Sequence, residues 1–135
     1  MDPQVVQKAR DSLSRCSKRP EFLERFYELF MASSPDIRKK FEHTDFEVQK
    51  KVLRDSLYLM LSAAGTTEGY AHVQLEKLAK RHSRDNLGIK PEWYALWLDT
   101  LLETVVEFDP DYSDEILAAW RDSMKGGIDL LAAGY

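Results

Sequence analysis

The clearest candidate for chemistry in this sequence is His82, the last residue of an apolar helical stripe. Leu75, Leu78 and Ala79 fall on the same helix face as His82 because their spacing follows the helical period. An imidazole that projects from an apolar wall can ligate the metal of a flat apolar ligand, and its second ring nitrogen can donate to a backbone carbonyl one turn back, such as that of Leu78. The alternative is an ordinary helix-end histidine that is favoured by the helix dipole and binds nothing.

Other metal-binding residue types are sparse. His43 lies among charged residues before a helix cap, and His72 lies off the stripe that ends in His82, so neither is a strong candidate ligand. The lone Cys16 permits no internal disulfide, and no CxxC spacing exists to hold zinc or an iron–sulfur cluster. Any cofactor must therefore be held non-covalently by other residues.

Length and charge narrow the class of protein. The 135 residues correspond to about one domain, which we expect to span 1–135. The net charge of −4 comes from interspersed acidic and basic residues without a basic stripe, so nucleic acid is not an expected partner. We also expect a cytoplasmic protein without a membrane partner, because the sequence contains neither a long apolar run nor the continuous apolar stretch of a secretory signal.

The elements that must position His82 are all helical. Prolines and glycines separate segments whose apolar residues recur at helical spacing, and nothing resembles a strand, so the sequence predicts an all-α chain of about six or seven helices. The predicted helix starts are Pro3, Pro20, Pro35, the capping-box spacing from Thr44 to Glu47, Tyr70, Pro91 and Ser113. The fifth helix ends at about His82, and the sixth reaches about Phe108.

Several motifs in this order resemble the globins, in particular the bacterial single-domain globins and the haem domains of flavohaemoglobins and globin-coupled sensors. The string LxxLAxxH at 75–82 is similar to the globin helix that carries the proximal histidine, and IKPEWY at 89–94 to the opening of the next helix. Upstream, the spacing of Phe26, Tyr27 and Phe30 before Pro35 also resembles the family. The resemblance implies a globin fold around haem b.

The same resemblance implies roles for individual residues. His82 corresponds to the proximal ligand of the haem iron, with Leu78 beside it. Phe41 corresponds to the phenylalanine that wedges against the haem before the distal helix. Tyr27 corresponds to the tyrosine that reaches into the distal pocket of bacterial globins, where its hydroxyl needs a polar partner such as bound O2.

The distal helix offers a second polar group. Many bacterial globins carry glutamine with leucine four residues later, and Gln49 with Leu53 reproduces this pair on one helix face. A register shifted by one residue would instead make Val48 and Val52 the pocket pair. We prefer Gln49 because this register turns Ser56, rather than an aspartate, toward the haem side.

The proximal side departs from the flavohaemoglobin pattern. In that pattern a tyrosine and a glutamate couple to the proximal histidine, and Tyr94 matches the tyrosine, but 124–135 contains no glutamate. The loop 83–89 is also longer than in flavohaemoglobins, which leaves the hydrogen-bond partner of His82 open. Arg81 and Arg84 flank the ligand and are candidates to pair with haem propionates.

The resemblance implies reversible binding of O2, NO and CO, as an oxygen carrier, a scavenger or a gas sensor. The alternative is an NO dioxygenase that relies on a separate reductase, because no flavin or nicotinamide domain follows in the sequence. A globin-fold protein without haem is a third class, and the joint presence of His82, Phe41 and Tyr27 argues against it. The sequence leaves the oligomeric state open, including a homodimer.

Overall fold

Seven α-helices and no strand make up the computed structural model, which describes all residues 1–135. The prediction of an all-α chain is confirmed. None of these helices combines the length and the apolar character that a membrane span requires. In chain order they are α1 (Pro3–Ser17), α2 (Glu21–Ala32), α3 (Pro35–Lys40), α4 (Phe46–Ala63), α5 (Tyr70–His82), α6 (Trp93–Phe108) and α7 (Asp114–Ala133).

Side-chain caps explain where several helices begin. The Asp2 carboxylate accepts from the Gln4 amide and starts α1, and Ser113 accepts from the Ile116 amide and starts α7. At α4 the capping residue is Asp45, which accepts from the amides of Glu47 and Val48, rather than Thr44 as the capping-box spacing suggested. A carboxylate at this position satisfies two amides that have no partner within the helix.

The start of α6 differs from the prediction. The helix begins at Trp93 rather than Pro91, because 90–94 first forms a tight turn. In this turn the Trp93 amide donates to the Lys90 carbonyl and the Tyr94 amide donates to the Pro91 carbonyl. The turn sets the direction in which Trp93 and Tyr94 enter the core.

The helices pack around one apolar core. α1 lies against α7, α2 against α6, and α5 contacts both α4 and α7. Burial of each large apolar side chain stabilises the fold by about 1.5–3 kcal/mol. The fully buried large side chains that join these helices include Leu13, Phe22, Phe26, Leu57, Leu101, Trp120 and Met124.

A buried polar cluster joins α1 to the corner between α6 and α7. The Asp109 carboxylate is 2% exposed and accepts from Ser12 Oγ at 2.6 Å and from Arg15 Nε at 2.7 Å. Trp120 Nε1 donates to the same Ser12 oxygen at 2.9 Å. The partners of Asp109 compensate for its removal from water, so the cluster fixes α1 against the α6–α7 corner.

Candidate functional site

A cavity of about 300 Å³ lies within the helix assembly. Residues from every helix except α1 reach its lining, and 16 of the 21 lining residues are hydrophobic. A mostly apolar cavity with a few polar groups is typical of a small-molecule or cofactor site.

Seven residues that the sequence predicts for the site lie in the lining of this one cavity, although they come from α2, α4, α5, α6 and the turn after α3. Their convergence depends on packing between helices that are distant in the chain. The predicted residues in the lining are Tyr27, Phe41, Gln49, Leu53, Leu78, His82 and Tyr94.

His82 is the one imidazole in the lining. Its Nδ1 lies 2.8 Å from the Leu78 carbonyl oxygen. Because a carbonyl only accepts, Nδ1 must carry the proton, which leaves the Nε2 lone pair free to bind a metal. Burial lowers the pKa of His82, the Leu78 contact opposes this shift, and the neighbouring Arg81 adds to it. The ring is therefore neutral at pH 7, as a metal ligand must be.

Tyr27 and Gln49 form the polar pair of the cavity. Gln49 Nε2 donates to the Tyr27 hydroxyl oxygen at 3.1 Å, while that hydroxyl donates to the main-chain carbonyl of Gln49 at 3.5 Å, at the limit of a hydrogen bond. Burial raises the pKa of Tyr27 to about 12, and the hydrogen bond from Gln49 opposes the shift. Tyr27 thus keeps its proton at pH 7 and can donate it to a ligand.

Aromatic packing holds the Tyr27 ring in place. Phe26, Phe41 and Phe46 meet it edge to face, with ring centroids 5.2, 5.5 and 5.4 Å away. Such pairs stabilise the arrangement beyond the area that they bury. The hydroxyl is therefore presented from a rigid support.

The cavity-facing side of α4 includes residues from both registers considered in the sequence. Gln49, Leu53 and Ser56 lie in the lining, whereas Val48 is 56% exposed and lies outside it. Val52 also reaches the lining, at its exposed edge, where it is 41% exposed. Both Gln49 and Val52 fit because the lining extends around more than one row of side chains on the helix.

Tyr94 is buried, and its hydroxyl has no hydrogen-bond partner within the protein. Burial raises its pKa to about 12, so the hydroxyl stays protonated. No carboxylate approaches His82 Nδ1, whose partner is the Leu78 carbonyl. A buried hydroxyl without a protein partner can be satisfied by ordered water or by a bound group.

Two cations lie in the lining. One is Arg81, a candidate from the sequence, and the other is Lys40, which was not among the candidates. Its position in the sequence, directly before Phe41, could have indicated that it lies near the cavity. Arg84 lies outside the lining, with its guanidinium 4.9 Å from the centre of the Tyr135 ring, so its predicted pairing with a propionate is not supported.

The other two histidines lie away from the cavity. The His43 side chain is 92% exposed, and His72 Nε2 lies 3.2 Å from a Glu76 carboxylate oxygen. Neither lines the cavity that contains His82.

Comparison with known proteins identifies the family. The sequence profile of the globins matches residues 24–128, which is most of the chain. The chain belongs to the globin family. Its helix order and its fold are those of a globin, and the resemblance to bacterial globins is confirmed by a solved structure as well.

That structure is a crystal structure of a Pseudomonas aeruginosa protein described as structurally highly homologous to a human hemoglobin. The two chains are 40% identical and superpose with a TM-score of 0.92, over 97% of this globin and 98% of the Pseudomonas chain. No curated protein matches the sequence.

Globins bind haem and, through it, diatomic gases, and membership of the family implies both in general terms. The residues present fit such a group. The lining is largely apolar, it contains one neutral imidazole with a free nitrogen, and the Tyr94 hydroxyl lacks a partner.

Proposed function

We propose that this globin binds O2 reversibly at a haem b whose iron is ligated by His82, and that it acts in the cytoplasm as an oxygen carrier, scavenger or gas sensor. NO and CO would bind at the same place. The observation that carries the proposal is the convergence, in one apolar cavity, of an oriented neutral imidazole and a Tyr27–Gln49 hydrogen-bonded pair.

The proposal assigns a role in haem binding to several residues of the lining. His82 Nε2 would ligate the iron, and Phe41, Leu53 and other apolar side chains would contact the haem. Lys40 and Arg81 would pair with the propionates, because they are the two cations in the lining. Bound haem would supply the iron atom that binds a diatomic gas.

Tyr27 would select among the gases. Gln49 Nε2 donates to the Tyr27 oxygen, and the hydroxyl is only 3.5 Å from the main-chain carbonyl of Gln49, so a polar ligand in the cavity would compete for its proton. A hydrogen bond of this kind contributes about 1–2 kcal/mol, and every 1.4 kcal/mol or so is a tenfold change in affinity. Because CO is less polarised than O2 in such a site, it would benefit less.

The proximal geometry favours reversible binding over NO dioxygenation. A carboxylate partner on the proximal histidine would strengthen electron donation to iron and so promote oxygen activation. Here His82 Nδ1 donates to a backbone carbonyl, which is a weaker acceptor. NO dioxygenation with a separate reductase is the alternative that this contact argues against.

Haem titration of the purified protein tests the proposal. We expect uptake of one haem per chain with an intense Soret band, and a ferrous spectrum of histidine-ligated haem that His82→Ala abolishes and added imidazole restores. His43→Ala is the matched control, because its exposed side chain lies outside the cavity. Absence of a Soret band in the wild type, or an unchanged ferrous spectrum in a folded His82→Ala protein, would overturn the proposal.

A further inference from the structure

Residues 83–90, which we call the proximal loop, fold back on themselves directly after His82. The Leu87 amide donates to the Arg81 carbonyl at 3.0 Å, and the Ile89 amide donates to the His82 carbonyl at 3.0 Å. Gly88 has φ +64°, a left-handed conformation that favours glycine, and its amide donates to the Ser83 carbonyl at 2.9 Å. Hydrogen bonds thus hold the loop in one conformation and join it to the main chain of His82, the candidate ligand.

This fold returns two apolar side chains to the cavity. Leu87 and Ile89 both lie in the lining, next to the end of α5. Leu87 remains 46% exposed, so few side chains cover it from outside. These two side chains therefore stay in the cavity wall only while the proximal loop keeps this backbone conformation.

A second set of contacts ties the loop to Tyr135, which lies two residues beyond the end of α7. The Arg84 amide donates to the main-chain oxygen of Tyr135 at 3.1 Å. The Arg84 guanidinium lies over the Tyr135 ring, 4.9 Å from its centroid, within the range of a cation–π interaction. Leu131, one turn earlier on α7, itself lines the cavity, so the tie connects two parts of one wall.

We propose that Arg84 is a positioning residue whose contact with Tyr135 latches the proximal loop against α7 and thereby slows release of haem. The proposal rests on the proposed function, since it requires haem in the cavity. A latch of this kind would explain why Arg84, two residues after His82, contacts Tyr135 instead of the cavity. When the latch opens, Leu87 and Ile89 lose their place in the lining, and a path to solvent opens beside His82.

The size of the effect follows from the type of contact. A cation–π interaction near the surface corresponds to about a two- to fivefold change in an equilibrium constant. We expect this factor in the rate of haem release, because the contact is made in the closed state and lost in the open one. The hydrogen bond from the Arg84 amide is independent of the side chain, so Arg84→Ala leaves it available.

Transfer of haem from the loaded protein to an excess of a haem-scavenging apo-globin measures the release rate. Arg84→Ala and Tyr135→Ala should each release haem about two- to fivefold faster, and the double variant no faster than either single variant, because both remove the same contact. Arg84→Lys should lie between Arg84→Ala and the wild type. Arg10→Ala, an exposed arginine on α1, is the matched control and should release haem at the wild-type rate.

Hydrogen exchange of the Leu87, Gly88 and Ile89 amides supplies a readout that does not need haem. These amides should exchange faster in Arg84→Ala and Tyr135→Ala, while the amides of α1 are unchanged. Unchanged exchange would overturn the latch, and faster exchange with wild-type haem release would overturn its role in retaining haem. If the wild type bound no haem at all, the proposed function would fail, while the exchange experiment would still test the contact.

Discussion

Among individual residues, Tyr27 shows most directly how burial fixes the protonation state and the orientation of a side chain. Its phenol is removed from water, which raises its pKa to about 12 and keeps the donor proton in place. Gln49 occupies the acceptor side of the hydroxyl oxygen, and the surrounding rings hold the phenol in one orientation. The donor is therefore oriented before any ligand arrives.

Tyr27→Phe should increase the rate of O2 dissociation about tenfold, because it removes a hydrogen bond to a polar ligand and leaves the ring packing intact. Rapid replacement of O2 by CO measures this rate. The CO dissociation rate should change much less, since CO is a poorer acceptor.

Tyr58→Phe is the matched control for this prediction. Tyr58 lies on α4 but is 45% exposed and outside the cavity, so its loss should leave both rates unchanged. An O2 dissociation rate that changes by less than about twofold in Tyr27→Phe would exclude Tyr27 as a hydrogen-bond donor to bound O2.

At the scale of elements, two adjacent glycines of α7 have different surroundings. A Cβ added at Gly127 would lie 2.8 Å from Met60 Cε and 3.7 Å from Leu75 Cδ2, so α7 passes close to side chains of α4 and α5 there. A Cβ added at Gly126 would meet nothing within 4 Å. Met60 lines the cavity, and the end of its side chain occupies the space that a Cβ at position 127 would take.

Gly126→Ala should therefore raise the free energy of unfolding by about 0.5–1 kcal/mol, the usual gain for alanine in an open helical position. Gly127→Ala should raise the free energy of unfolding by less, because the end of the Met60 side chain must move to make space for the added Cβ. Urea denaturation of both variants measures the difference.

The comparison has an internal check. In a Met60→Ala background the obstructing atoms are gone, and Gly127→Ala should then stabilise the protein about as much as Gly126→Ala. Equal stabilisation by the two substitutions in the wild-type background would contradict the assigned contact.

For the whole molecule, the Asp109 cluster links the first helix to the last corner of the fold. Burial acts to raise the pKa of Asp109, but the hydrogen bonds from Arg15, Ser12 and the Asp111 amide outweigh it and lower the pKa below its ordinary value of 3.8. The pKa of Asp109 is lower in the folded protein than in the unfolded one. The ionised carboxylate therefore stabilises the fold, and this contribution is fully present at pH values above the unfolded-state pKa. That contribution is lost as the pH falls through the folded-state pKa.

Asp109→Asn should lower the free energy of unfolding at pH 7 by about 3 kcal/mol, because it leaves the partly buried Arg15 without its counter-charge. The difference from the wild type should shrink as the pH falls below about 4. Urea denaturation at several pH values measures both effects.

Asp111→Asn is the matched control. The Asp111 side chain is 71% exposed and lies 3.6 Å from the same Arg15 Nε, so its loss should change stability by less than about 1 kcal/mol. If the free energies of unfolding of the wild type and Asp109→Asn differed by the same amount at neutral and at acidic pH, the ionised state assigned to Asp109 would be wrong.

Local patterns in the sequence are sufficient for the all-α class and most helix bounds, because caps, prolines and apolar spacing act within a few residues. The same patterns place His82, Leu78 and Ala79 on one face of α5, since the helical period relates nearby positions directly. The resemblance to globins added the roles of Tyr27 and Phe41, which no local pattern indicates.

Only the tertiary structure decided which side chains from separate helices share the cavity. It placed Gln49 beside the Tyr27 hydroxyl, brought Lys40 into the lining, and turned Arg84 toward Tyr135. It also left the buried Tyr94 hydroxyl without a protein partner. These outcomes depend on contacts between residues far apart in the chain, and the helical period, which relates only near neighbours, carries no information about them.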